Sequence, residues 1–287
     1  MVADQQPHTP DRQKQHIVDL LAGYSIEITP AIAAKYASVA DLLPAGTRVY
    51  VAFVPGDDYR VVAATAKRLR AEGLVPVPHF PARSITGRAE LDDYLARVTG
   101  EAGVDEVLAI GGGLDQPQGA FSGTLDLLET GLFEARGVRV IGVAGHPEGQ
   151  RELRLPGIAM PLDQKLGYAE RSTARMRFVT QFLFDADPLL AWERALRARG
   201  NALPIHVGVP GPAKITTLLN YARLCGVGNS MRMLTRQTGS LFKLASVSCP
   251  DVLLSALAEH RAETPESRVE RVHVYPFGGL ARTAAWI

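Results

Sequence analysis

Cysteine is scarce: Cys225 and Cys249 are the only two in 287 residues, far apart and without metal-ligand spacing. A disulfide framework and a structural zinc site both fail on that count. Two buried thiols in a reducing compartment are expected instead. Charge of either sign is not in excess, since the formal net charge is +1, which argues against a polyanion-binding module and against nucleic-acid or membrane partners. No apolar run reaches the ~18 residues a membrane span needs. The polar start MVADQQPHTPDRQKQH has no apolar core of a signal peptide, so a cytoplasmic location is expected. Internal repeats and low-complexity tracts are absent. So is the G-x-G-x-x-G of a dinucleotide fold, because the first strand-to-helix turn reads Thr29-Pro30-Ala31-Ile32.

What is present is an alternation of short apolar runs with longer amphipathic stretches. Residues 1–10 read as a flexible tail and 11–287 as one catalytic domain. A first helix runs from Asp11 to near Gly23, fixed by Ile17, Leu20 and Leu21. Strands are expected at Ser25–Thr29, Arg48–Val54, Val75–Phe80, Glu106–Gly111, Arg139–Ala144, Arg177–Phe184, Ile205–Val209 and Val272–Tyr275. Most are rich in Val and Ile and apolar on both faces, as strands covered by helices must be. Helices are expected at Asp58–Glu72, Ala89–Thr99, Leu189–Arg199 and Thr216–Cys225, with another capped by Asp251 and reaching His260. Eight strands alternating with helices leave a closed barrel or an open doubly wound sheet. The count, the length and the missing glycine fingerprint favour an α/β fold of the (β/α)8 TIM-barrel type.

In such a barrel, chemistry sits where the strands end. Those positions give Glu27, His79, Asp115, His146, Glu148, Gln181, Asp185 and Pro210-Gly211-Pro212. Glu27 stands out because isoleucine flanks it on both sides. Alternation puts Ser25, Glu27 and Thr29 on the face that looks into the barrel mouth. Burial there should raise the carboxyl pKa, as a general acid requires, although a buried ion pair would place an acid inside equally well. Gln181 offers two donors and an acceptor, which suits the edge of a heterocycle, or else pairs with loop backbone. His79 either binds a ligand or caps a loop. Gly111-Gly112-Gly113 either lets backbone approach a ligand or makes a plain tight loop. Asp185 reads more readily as a helix cap. Spacing alone therefore stops at a barrel enzyme with an acid in its mouth.

Several segments, taken in order, resemble the methylenetetrahydrofolate reductase family. Ser25-Ile26-Glu27 followed by Pro30 looks like the family's first strand, and Val77-Pro78-His79 like its third. Val143-Ala144-Gly145-His146-Pro147-Glu148-Gly149 is similar to A-G-Y-P-E-G-H after the fifth. Val179-Thr180-Gln181-Phe182-Leu183-Phe184-Asp185 resembles I-T-Q-F-F-F-D, the specific motif that ends the sixth. Val207-Gly208-Val209-Pro210-Gly211 is similar to the end of the seventh. The resemblance implies Glu27 as general acid, with Gln181, Asp115 and Phe182 at the folate. It implies His79, Gly112, Gly113, His146 and Gln150 at the redox cofactor, and no metal.

The departures concern flavin. His146 replaces the motif's tyrosine and Gln150 its later histidine, and Gly111-Gly112-Gly113 stands where flavin-dependent members have R-G-D. After Asp163, Leu166-Gly167-Tyr168-Ala169-Glu170 brings a carboxylate where the family brings an asparagine and a basic pair. The resemblance so amended implies a reductase without FAD that takes hydride directly from NADH or NADPH. The alternatives are FAD held through altered contacts, a deazaflavin, or a non-catalytic folate-binding barrel. Oligomeric state is left open.

Overall fold

The computed structural model describes residues 9–149, 162–225 and 246–287. Its eight long parallel strands are β1 (Ser25–Ile28), β2 (Arg48–Val51), β3 (Val75–Pro81), β4 (Glu106–Ile110), β5 (Val140–Gly145), β6 (Arg175–Phe182), β7 (Ile205–Pro210) and β8 (Val269–Tyr275). Each pairs with its neighbours in sequence, and β1 pairs with β8 through Ser25↔His273 and Ile26↔Val274, so the sheet closes. The chain is a (β/α)8 barrel.

Among the described residues, the helices of seven or more residues are α1 (Thr9–Leu21), α2 (Tyr59–Ala71), α3 (Arg88–Ala102), α4 (Leu162–Arg171), α5 (Ala186–Ala198), α6 (Ile215–Leu224), α7 (Asp251–Glu263) and α8 (Leu280–Trp286). A two-residue antiparallel ribbon, Ala213–Lys214 with Val247–Ser248, lies outside the barrel sheet. Asp58 caps α2 by accepting from the Arg60 N–H, and Asp185 caps α5 by accepting from the Asp187 N–H. Two expectations are corrected. Pro250, not Asp251, occupies the N-cap of α7, and Asp251 sits in the first turn, where the helix dipole still favours a carboxylate. Cys225 and Cys249 are exposed rather than buried, because both lie beyond the strands, at the ends of outer elements.

Alternation sorts every strand into an outer apolar face and an inner face. Ile26, Ile28, Val49, Val51, Phe80, Val107, Ile141, Phe178, Val207 and Val274 belong to the main core between strands and helices. A smaller cluster of Tyr50, Val77, Leu108 and Val179 fills the barrel interior. Below it, toward the strand N-termini, Glu106 accepts from Arg48 Nε at 2.9 Å and from Arg177 Nη2 at 2.7 Å. Burial alone would raise the Glu106 pKa, but the two guanidiniums outweigh it and bring it to about 2. Below the mouth, then, the barrel is plugged by one apolar layer and one ionic layer.

Candidate active site

Above Tyr50, at the C-terminal end of the barrel, Glu27 meets two histidines. Its Oε2 lies 3.4 Å from His79 Nε2 on β3 and 3.7 Å from His273 Nε2 on β8. The Glu27 side chain keeps 23% of its surface exposed, whereas His273 is fully buried. Period-two alternation brings these groups together: Ser25 and Glu27 on β1, His79 on β3, and His273 and Tyr275 on β8 all face inward. His273 is aimed by Ser25, whose Oγ lies 2.9 Å from Nδ1. Its ring also leans on Tyr50, with centroids 4.4 Å apart, and on Tyr275 at 4.9 Å. The backbone carbonyl of His79 accepts from the Tyr94 hydroxyl at 3.0 Å, which fixes that strand from outside.

The expected rise in the Glu27 pKa is not what this arrangement produces. Burial pushes it up, but the imidazole of His273 and the charge of His79 push it down by more, so it falls below the ordinary carboxylate value. His79 is lowered as well: burial disfavours its charged form and outweighs the attraction of Glu27. Glu27 is therefore biased toward its ionised form, held there first by His273, while burial biases His79 toward its neutral form. Tyr275 is raised well above 10, by burial first and by the Glu27 charge second, so it stays a hydrogen-bond donor.

The other expected residues spread around the rim. Gln181 is half-buried near the end of β6, and its Oε1 accepts from the Phe182 N–H at 3.2 Å; it makes no hydrogen bond to the Glu27 cluster. The link between them runs through Tyr275, whose hydroxyl donates to the Thr180 carbonyl at 3.1 Å. Phe182 is fully buried, its ring 5.6 Å from Tyr275 and 4.8 Å from Phe277. Asp115 lies exposed on the loop after β4. Gly112, with φ +90°, packs where an added Cβ would sit 3.0 Å from Pro81 Cβ, so glycine there serves close loop packing; Gly113 is exposed. His146 is half-buried after β5, and burial plus the charge of Lys165 takes its pKa to about 3. Gln150 lies outside the described residues.

Sequence reasoning missed His273, Tyr50, Tyr275, Arg83 and Lys165. The first and third were within reach, since Val272-His273-Val274-Tyr275 has the same polar alternation that singled out Glu27. Lys165 on α4 gave no such sign: its Nζ donates to the Ala144 carbonyl at 2.6 Å, and burial lowers its pKa to about 8. Among the described residues, no group of His, Cys, Asp and Glu is arranged to hold a metal ion, and no helix is long and apolar enough to cross a membrane.

No family model matches the chain. Among solved structures, a Clostridium thermocellum protein that binds two copies of 5-methyl-5,6,7,8-tetrahydrofolic acid superposes with a TM-score of 0.53 at 13% identity, over 96% of this chain and 99% of that one. A family GH18 chitinase from Chromobacterium violaceum gives 0.46 at 10% identity, over 92% and 83% of the two chains. The carboxyl transferase domain of Rhizobium etli pyruvate carboxylase gives 0.42 at 12% identity, over 92% and 41%. What the first of these shares with this chain is the fold alone.

Proposed function

We propose that this chain reduces 5,10-methylenetetrahydrofolate to 5-methyltetrahydrofolate, taking hydride directly from NADH or NADPH. The observation that carries the reading is Glu27, set in the barrel mouth between His79 and His273. The ordered motif resemblance supports it, as does a protein of the same fold that binds 5-methyltetrahydrofolate.

In this reading Glu27 protonates N10, the bond from N10 to the bridging methylene breaks, and an N5-iminium forms. Hydride from the dihydronicotinamide adds to that carbon. Methylenetetrahydrofolate, NAD(P)H and one proton thus become methyltetrahydrofolate and NAD(P)⁺. The free carboxylate must first be loaded with the proton. A folate over the mouth excludes water from the exposed part of Glu27, which strengthens the burial effect and raises its pKa in the complex. His79 and His273 are the neighbours through which the proton arrives. Gln181 is assigned to the pterin edge as both donor and acceptor, with Asp115 beside it and Phe182 backing the mouth.

The residues of α4 that would face a flavin diphosphate do not fit one. On α4, Lys165 is turned to the Ala144 carbonyl and Arg171 is ion-paired with Glu129. Asp163 is itself ion-paired with Arg199, and the exposed carboxylate of Glu170 would repel a diphosphate. No step is therefore routed through FAD.

The test is an anaerobic assay of purified protein with methylenetetrahydrofolate and each reduced nicotinamide, no flavin added. One methyltetrahydrofolate formed per nicotinamide oxidised is expected. Turnover that appears only on adding FAD would reverse the flavin assignment. Folate binding without any turnover would leave a folate-binding barrel in place of a reductase.

A further inference from the structure

Arg83 lies in the helical turn Ala82–Ser84 that directly follows β3, and it is 3% exposed. Its backbone N–H donates to the Gly111 carbonyl at 3.0 Å, and its own carbonyl accepts from the Gln118 N–H at 2.9 Å. Its Nη1 donates to the Leu114 carbonyl. Its Nε is buried with no partner. Buried Nε atoms without partners also occur on Arg177, Arg197 and Arg271, but those guanidiniums are ion-paired with Glu106, Glu266 and Glu270. Among the described residues Arg83 has no such carboxylate. A guanidinium taken out of water without a counter-charge is costly unless an anion completes it.

The surroundings suit an anion. Among the described residues no hydrogen bond takes up the backbone N–H of Gly112 or Gly113, on the loop that Arg83 holds. The acid on that loop, Asp115, is exposed and not ion-paired with Arg83. Register fixes the height. His79 pairs with Leu108 and Pro81 with Ile110, so Arg83 and Gly111 stand just beyond the layer of Glu27, at the open end of the barrel.

We propose that Arg83, with the amides of Gly112 and Gly113, forms an oxyanion subsite for the charged end of a ligand whose reacting end lies at Glu27. The proposal rests on the folate and nicotinamide reading and extends it. Two groups in that reading carry such oxygens, the glutamyl carboxylates of the folate and the diphosphate of the dinucleotide. A planar guanidinium fork matches either.

The experiment measures direct binding, without turnover, to wild type, Arg83→Gln and Arg83→Lys. The probes are 5-methyltetrahydrofolate and the same pterin lacking glutamate, NADH and reduced nicotinamide riboside, and inorganic pyrophosphate. Arg83→Gln is expected to weaken one full-length ligand and pyrophosphate by about ten- to a hundredfold, the scale of a charge-assisted hydrogen bond, and to leave the truncated ligands unchanged. Arg83→Lys should fall between. Loss confined to the folate assigns the subsite to its carboxylates, and loss confined to NADH assigns it to the diphosphate. Equal losses for full and truncated ligands, or none, would show that Arg83 only staples the loop and would overturn the proposal. If Arg83→Gln does not fold, the wild type decides, because truncated ligands bound as tightly as the full ones overturn it too. If the wild type binds neither folate nor NADH, the functional reading fails, and pyrophosphate alone then decides for or against the subsite.

Discussion

The substitution Glu27→Gln keeps length and shape and removes the proton, so folate binding should persist while turnover falls by ~10²–10⁴, the usual worth of a positioned acid. A variant that turned over at the wild-type rate would remove Glu27 from the chemistry. The pH profile is a second check. Glu27 and His79 are both lowered in the free protein, so the catalytic proton is mostly absent at neutral pH. kcat/KM should therefore climb as pH falls from about 8 and keep climbing below the ordinary imidazole value of about 6.5, because both groups titrate below their ordinary values. A flat profile would contradict proton loading through the cluster. Gln181→Glu removes the amide donors and should raise the folate KM by about one to two decades, with the nicotinamide KM changed much less. The reverse pattern would put Gln181 on the other ligand. Glu27 was legible in the sequence because a charge between two isoleucines on an inward face needs a reason. The direction of its pKa was not. It depends on His273, and the Ser25–His273 bond that aims that ring joins residues 248 apart in sequence.

Among the elements, β6 departs from simple alternation, as β8 does between Val269 and Arg271. Val179 pairs with His206 but Phe182 pairs with Gly208, so Thr180 and Gln181 together oppose a single residue of β7. This bulge turns Phe182 inward toward Tyr275, where strict alternation from Arg177 and Val179 would have sent Gln181. Thr180 holds it: its Oγ1 accepts from the Gly208 N–H at 2.8 Å and donates to the Gln181 carbonyl at 2.8 Å. Gly208 admits it, since an added Cβ would lie 2.6 Å from the carbonyls of Thr180 and Gln181. Thr180→Val keeps the volume and strands those groups, so a loss of ~1–3 kcal/mol in stability is expected in denaturant titration, with weaker folate binding. Asp185→Ala should cost about 1 kcal/mol through its cap alone and leave both KM values in place. If the two variants shifted folate binding equally, the bulge would have no special tie to the ligand. Strand existence was readable from Val and Ile content. The bulge was not, because it follows from a backbone contact between β6 and β7.

At the scale of the molecule, closure into a barrel could be read from eight strand signals and the missing dinucleotide glycines. The ionic plug could not, because Arg48, Glu106 and Arg177 meet only once the sheet has closed. The same interior makes stability depend on acid. His206 on β7 is 1% exposed; burial lowers its pKa to about 4, with Arg177 and Arg271 adding to the effect and Glu270 opposing it. The unfolded chain binds that proton near pH 6.5, so the stability due to neutral His206 is complete above about 6.5 and is lost as pH falls toward 4, by up to roughly 3 kcal/mol. Thermal melts between pH 7 and 5 should show the decline, and His206→Gln should flatten it. An unchanged slope in that variant would move the effect to another buried group.

The seam between β1 and β8 also sets a clock. Ser25 leaves the ribosome before His273, which it must aim and which follows 248 residues behind it. At ~5–20 residues per second the first strand waits roughly 12–50 s for its last neighbour. Throughout that interval a nascent chain carries an open strand edge and a carboxylate without its imidazole, so the pairing at Glu27 waits until synthesis has passed the eighth barrel strand.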